Sequence, residues 1–157
     1  MNLSDLASAI YTRLTGDATL AGYLTGGIRN YYAQPDATQT EAVPLPYLVY
    51  VIDFGQTSNS QKGQTQEMLV TVDMYIPRQS GYILCSQVIE RVNGDATDQI
   101  TGVPTFGLHL WTPTLATGNW VADVMQCSDG SSVSDDKDWF RYALVFSCHL
   151  SRTSPTS

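Results

Sequence analysis

Apolar residues at every second position mark the stretch from Gln66 to Ile76. Met68, Val70, Val72, Met74 and Ile76 alternate with Glu67, Thr71 and Asp73, and Leu69 and Tyr75 are the exceptions. A period of two sends successive side chains to opposite faces, so the stretch predicts a strand with one face against a core. Pro77 lacks a backbone donor and ends it. The period then lengthens. Leu84, Cys85, Val88, Ile89 and Val92 recur at helical spacing, with Ser80 as an N-cap and Asn93-Gly94 as the stop. A strand feeding an amphipathic helix predicts an α+β fold, a mostly antiparallel sheet with helices packed on one face.

The same patterns divide the rest of the chain. Leu3, Leu6, Ile10 and Leu14 trace one face of a helix that starts near Asn2 or Ser4 and ends at Gly16. Asp17 caps a short second helix carrying Leu20, Tyr23 and Leu24, and Gly26-Gly27 stops it. Ile28 to Tyr32 predicts a short strand, and Pro35 to Pro46 a polar loop. Tyr47 to Phe54 is apolar at nearly every position, as in a strand covered on both faces. The polar run Gly55 to Thr65 predicts a hairpin loop, longer than the usual 2–5 residues. Strands follow at Phe106–Leu110 and Val121–Cys127, an acidic turn at Asp129–Asp138, and a long closing strand from Phe140 to Leu150. The predicted organisation is one domain over residues 1–152 with a flexible tail at 153–157.

Composition narrows the function. Only 15% of the 157 residues are charged, where soluble domains average about 25%. Ser, Thr, Gln, Asn and Gly fill the difference, giving a polar, weakly charged surface suited to packing on protein. Eight basic residues against fifteen acidic ones leave a net charge of −7. Phosphate binding needs clustered Lys and Arg, so tight nucleic-acid binding is not expected. Cys85 and Cys148 lie in apolar patterns and read as buried thiols, consistent with a reducing cytoplasm. No apolar run approaches about 18 residues, so no membrane span is expected, and the N-terminus lacks the pattern of a signal peptide.

Catalytic or metal chemistry finds little support. Asp129, Asp135, Asp136 and Asp138 form the densest acidic group, but their spacing is not that of a calcium loop. His109 and His149 are the two histidines, and no H-x-x-x-H or C-x-x-C pair exists for zinc. No G-x-S-x-G elbow or G-K-[ST] phosphate loop occurs. Cys127 with a histidine could form a dyad, but three cysteines and two histidines make some such pairing almost unavoidable. The sequence therefore predicts no catalytic residue, metal or cofactor.

Taken in order, these elements resemble the tail terminator, or tail-completion, proteins of long-tailed bacteriophages. The resemblance rests on "LASAIYTRLTGDATLAGYLTGGIRNYY", a helix ending in a Gly-Asp turn before a short leucine-bearing helix and a glycine-led strand. It continues through "PLPYLVYVIDFGQTSNSQKG", "QEMLVTVDMYIPRQSGYILCSQVIERV" and "DDKDWFRYALVFSCHL". The loop from Pro35 to Pro44 is longer than the family's pattern, and Phe106–Cys127 carries little of its motif. The resemblance implies a homo-oligomer, a ring of six subunits that caps the finished tail tube and stops its polymerisation. It further implies partners in the major tail tube protein and the head–tail connector, with DNA passing through the lumen without specific binding. The location implied is the virion tail or neck, after assembly in the host cytoplasm. Another neck or head-completion protein, a minor tail protein, or a small α+β binding module are the alternatives. The candidate assembly residues are Thr57, Asn59, Gln61, Lys62 and Gln64 in the polar hairpin, and Asp135, Asp136 and Asp138 in the acidic turn.

Overall fold

The strand expected at Gln66–Ile76 sits at the centre of a sheet. The computed structural model describes residues 3–30, 44–60, 63–94, 104–116, 119–135 and 139–153. In chain order it contains α1 (Leu3–Thr15), α2 (Ala18–Tyr23), β1 (Ile28–Asn30), β2 (Tyr47–Ser60), β3 (Gly63–Pro77), a 3-10 turn at Arg78–Ser80, α3 (Gly81–Asn93), β4 (Val121–Ala122), β5 (Gln126–Asp135) and β6 (Trp139–Thr153). The sheet runs β1-β2-β3-β6-β4, and β5 also pairs with β6. Among the described residues, the three-residue β1–β2 pairing is the one parallel pair; the others are antiparallel. The fold is α+β, as the alternating and helical periods predicted.

The alternation in β3 is the core. Met68, Val70, Val72, Met74 and Ile76 are each fully buried. Leu48, Tyr50 and Ile52 of β2 and Leu144, Phe146, Cys148 and Leu150 of β6 continue the same layer. Leu6, Ile10 and Leu14 of α1, Leu20 of α2, and Cys85, Val88 and Val92 of α3 close over it from one side. Burying each such side chain contributes about 1.5–3 kcal/mol, so the registration of these three strands under the helices dominates stability.

Several expectations change. Gly55–Thr65 is not a long loop. β2 continues to Ser60 and β3 begins at Gly63, paired from Thr57↔Gln66 to Ser60↔Gly63 after a bulge between Phe54 and Thr57. Backbone pairing needs no apolar side chains, which is why polarity hid these strand ends. Likewise Asp129–Asp135 is strand, paired with β6 from Val145 to Phe140, and Asp136–Asp138 lie outside the described residues. β2 is covered on both faces at Leu48–Tyr50, as expected, but loses that cover by Asp53 and Phe54, which are exposed. Ser80 makes no side-chain capping bond; the 3-10 turn leads the chain into α3 instead. Val121–Cys127 is broken into β4 and the start of β5. The closing strand reaches Thr153, slightly beyond the expected domain edge. β1 is described to Asn30; Tyr31, Tyr32 and most of the Pro35–Pro46 stretch lie outside the described residues.

Phe106–Leu110 is no strand. Gly107 and Leu110 have φ of 79° and 62°, which a strand does not allow. The segment turns tightly against the end of α3. A Cβ on Gly107 would come within 2.3 Å of Gly94 Cα, so only glycine permits the approach. Leu108 and His109 donate their amides to the carbonyls of Val92 and Asn93, satisfying the open end of α3.

Candidate assembly surfaces

Two arginines hold the helical layer to this turning segment. Asp17 caps α2 by accepting from the amides of Thr19 and Leu20. It also takes a bidentate pair from Arg91 of α3, at 2.8 and 2.7 Å. Burial pushes the Asp17 carboxyl up, but the Arg91 guanidinium and the two amides outweigh it, and the group titrates below the ordinary aspartate value. Arg91 lies 3.5 Å over the Phe106 ring. Arg13 of α1 donates to the carbonyls of Gly107 and Pro104 at 3.0 and 2.9 Å and faces Trp111. The groove between these elements, about 660 Å³, includes both arginines, but both also bind the protein itself. The Asp17 cap was legible in the sequence; its second partner, 74 residues away, was not.

At one end of the sheet the strands run beyond the core. Gln66 is buried at the bulge, where Met68 marks the last apolar position of β3. Its amide nitrogen donates to the carbonyls of Glu67 and Gly55, and its side-chain oxygen accepts from the Thr57 hydroxyl. Beyond it lies a three-stranded arm made of Thr57–Ser60, Gly63–Gln66 and the end of β6, with Gln64 between Asn59 and Arg152. Thr57, Asn59 and Gln64 therefore share one arm. Gln61 and Lys62 lie outside the described residues. Asp135 is the last residue of β5, opposite Phe140. Along β6, Phe140 and Arg152 are twelve residues apart, about 40 Å in a strand. The structure brings the hairpin residues together and separates them from Asp135; Asp136 and Asp138 lie outside the described residues.

The opposite end of the sheet is aromatic. Tyr47 and Tyr75 stack at 4.6 Å, Tyr75 meets Trp139 at 5.4 Å, and Tyr82 meets Phe140 at 6.1 Å. Tyr82 and Ile83 are 87% and 75% exposed, so this end presents apolar surface to the outside. On the sheet face away from the helices, Arg141 donates to Asp73 at 2.9 Å. That face also carries the exposed Asp53 and the half-buried Glu67.

The histidines and cysteines are spread over different parts of the structure. The Nδ1 of His109 accepts the backbone amide of Cys127 at 3.0 Å. Cys85 and Cys148 are buried free thiols, and burial, with Asp123 nearby, pushes Cys148 up to about 12. His149 is exposed beside a shallow groove of about 470 Å³ with Asp123 and Ser151. Among the described residues, no three His, Cys, Asp or Glu side chains group as metal ligands. No described helix is long and apolar enough to cross a membrane.

No protein-family model matches the chain, and no protein of curated function matches it. Nine chains of solved structures do. One belongs to the virion of a native gene transfer agent particle. The match has a TM-score of 0.64 and covers 95% of this chain and 96% of that one, at 15% identity. This chain shares its fold with that virion protein.

Proposed function

We propose that this chain is a structural protein of a phage-type particle, and within that class a tail terminator. It forms a ring, of six subunits in the resembled family, that caps the tail tube, stops its growth and offers the head its joining surface. The observation that carries the reading is the full-length fold likeness to a chain of a gene transfer agent virion. The order of sequence motifs from α1 to β6, which resembles the tail terminators, supports the finer role. So does the surface. A protein at a tube end must meet a tube on one side and a head component on the other, and the sheet offers two chemically different ends. Among the described residues, the face turned away from the helices carries the acidic Asp53, Asp73 and Glu67, and its Arg141 is paired with Asp73, which suits a surface that passing DNA does not grip. The partners are accordingly a second copy, the tube protein and a head–tail connector.

Mass measurement in solution, with the chain alone and mixed with tube protein, tests this role. A ring-sized species, alone or on tube ends, is expected. A chain that stays monomeric and ignores tube ends would remove the proposal.

A further inference from the structure

One stripe of α1 stays out of the core. Leu6, Ile10 and Leu14 are buried beneath the helix, while Asp5, Ala9, Arg13 and Gly16 follow at steps of four and three and wall a groove of about 660 Å³. The turning segment after α3 forms the opposite wall with Thr105, Phe106, Trp111 and Thr114. From Asp5 to Gly16 the groove follows α1 for about 16 Å.

The charges at its Arg13 end do not balance. Both oxygens of Asp17 are engaged: Oδ2 accepts from Arg91 Nε, and Oδ1 accepts from Arg91 Nη2 and from the amides of Thr19 and Leu20. Asp17 and Arg91 form a closed pair. Arg13 has no such pair. It donates Nε and Nη2 to the carbonyls of Gly107 and Pro104, and its guanidinium carbon lies 5.4 Å from the centre of the Trp111 ring. Among the described residues, no carboxylate forms an ion pair with it, and Nη1 has no acceptor. Carbonyls solvate a guanidinium but leave its charge in place. Burial pushes the Arg13 group below the ordinary arginine value, and the charge of Asp17 opposes this only in part. A half-buried cation gains more from a carboxylate than an exposed one does, because water screens the attraction less.

We propose that this groove docks a short segment of a partner protein, with one side-chain carboxylate of that segment on Arg13 Nη1. Three observations select this occupant. A single small anion would fill one corner, whereas a length of about 16 Å takes about five extended residues. The Arg13 end is walled by Trp111, and tryptophan and arginine are the side chains on which protein interfaces concentrate their binding energy. The charge pattern disfavours a nucleic-acid strand, whose phosphates recur about every 3.4 Å in a duplex. Laid along the groove, it would bring several phosphates to one uncompensated cation and set others against Asp5, about 12 Å from Arg13 along α1. A peptide can bring one carboxylate and place it at Arg13. The groove is built by the helical layer and the turning segment, and this contact does not depend on the tail-end role.

Peptide titration followed by NMR tests the groove on the full chain. Acetyl-Ala-Glu-Ala-amide and its glutamine counterpart are added separately, and the indole N–H signal of Trp111 is read. The glutamate peptide should move that signal saturably, and the glutamine peptide should bind at least about ten-fold more weakly. Ala9→Glu places a carboxylate one turn before Arg13, where it competes for the guanidinium, and should weaken the glutamate peptide by about ten-fold as well. If Ala9→Glu fails to fold, the two peptides on the unaltered chain decide alone. Equal affinities for the two peptides, no saturable shift with either, or unimpaired binding to folded Ala9→Glu would overturn the proposal. Inorganic phosphate at matched ionic strength is the third probe. Tighter binding of phosphate than of the glutamate peptide would make this a small-anion or nucleic-acid site and remove the protein segment.

Discussion

The two halves of the β2–β3 hairpin obey the same backbone geometry and have opposite chemistry. In the half from Met68 to Ile76, every second side chain is fully buried beneath the helices. In the half from Gly63 to Gln66, no apolar residue remains, and the pairing with Thr57–Ser60 and with the end of β6 continues regardless. The boundary is a buried glutamine whose amide binds across the bulge to Gly55 and Thr57. The contrast teaches that burial specifies register in one half, while the other keeps it by backbone bonds and one polar lock. The first half holds the fold together. In the second, side chains can change without opening the apolar core.

That division predicts a graded series of effects. Val72→Asp places an unpaired charge in the fully buried half and should cost about 4–5 kcal/mol or more, leaving an unfolded chain by circular dichroism. Arg91→Ala strips Asp17 of its bidentate partner and uncovers Phe106; about 1–3 kcal/mol of lost stability is expected in urea titration. The same pair sets an acid limit. The Asp17 carboxyl titrates lower in the folded chain than in the unfolded one, so its contribution is complete above the ordinary aspartate value and fades as pH falls through the lowered one. Arg91→Ala should therefore flatten the acid arm of the stability profile, and an unchanged arm would count against the pair. Gln66→Ala removes the lock and should cost about 1–2 kcal/mol while leaving the core half protected from amide exchange. Gln64→Ala should change stability by no more than about 0.5 kcal/mol yet weaken assembly on tube ends; undiminished assembly would place recognition elsewhere.

How much was legible follows the same line. Alternation at Met68–Ile76 and Phe140–Leu150 and helical spacing at Leu84–Val92 announced their elements, because burial writes a period into the sequence. The strand ends at Gln56–Ser60 and Ser131–Asp135 carry no period, since they are held by pairing and not by burial. Phe106–Leu110 showed a period of two by chance; Gly107 was the sign of a turn against Gly94. Of the candidate residues, Thr57, Asn59 and Gln64 lie on paired strands where polarity suggested a loop. The partner of Asp17 was out of reach, because which arginine meets a cap depends on how α2 and α3 pack.

The central claim is that this chain ends a tube, and electron microscopy of particles assembled without it tests that claim most directly. Overlong tails of uneven length beside separate filled heads are the predicted result. Tails of normal length joined to heads would contradict it.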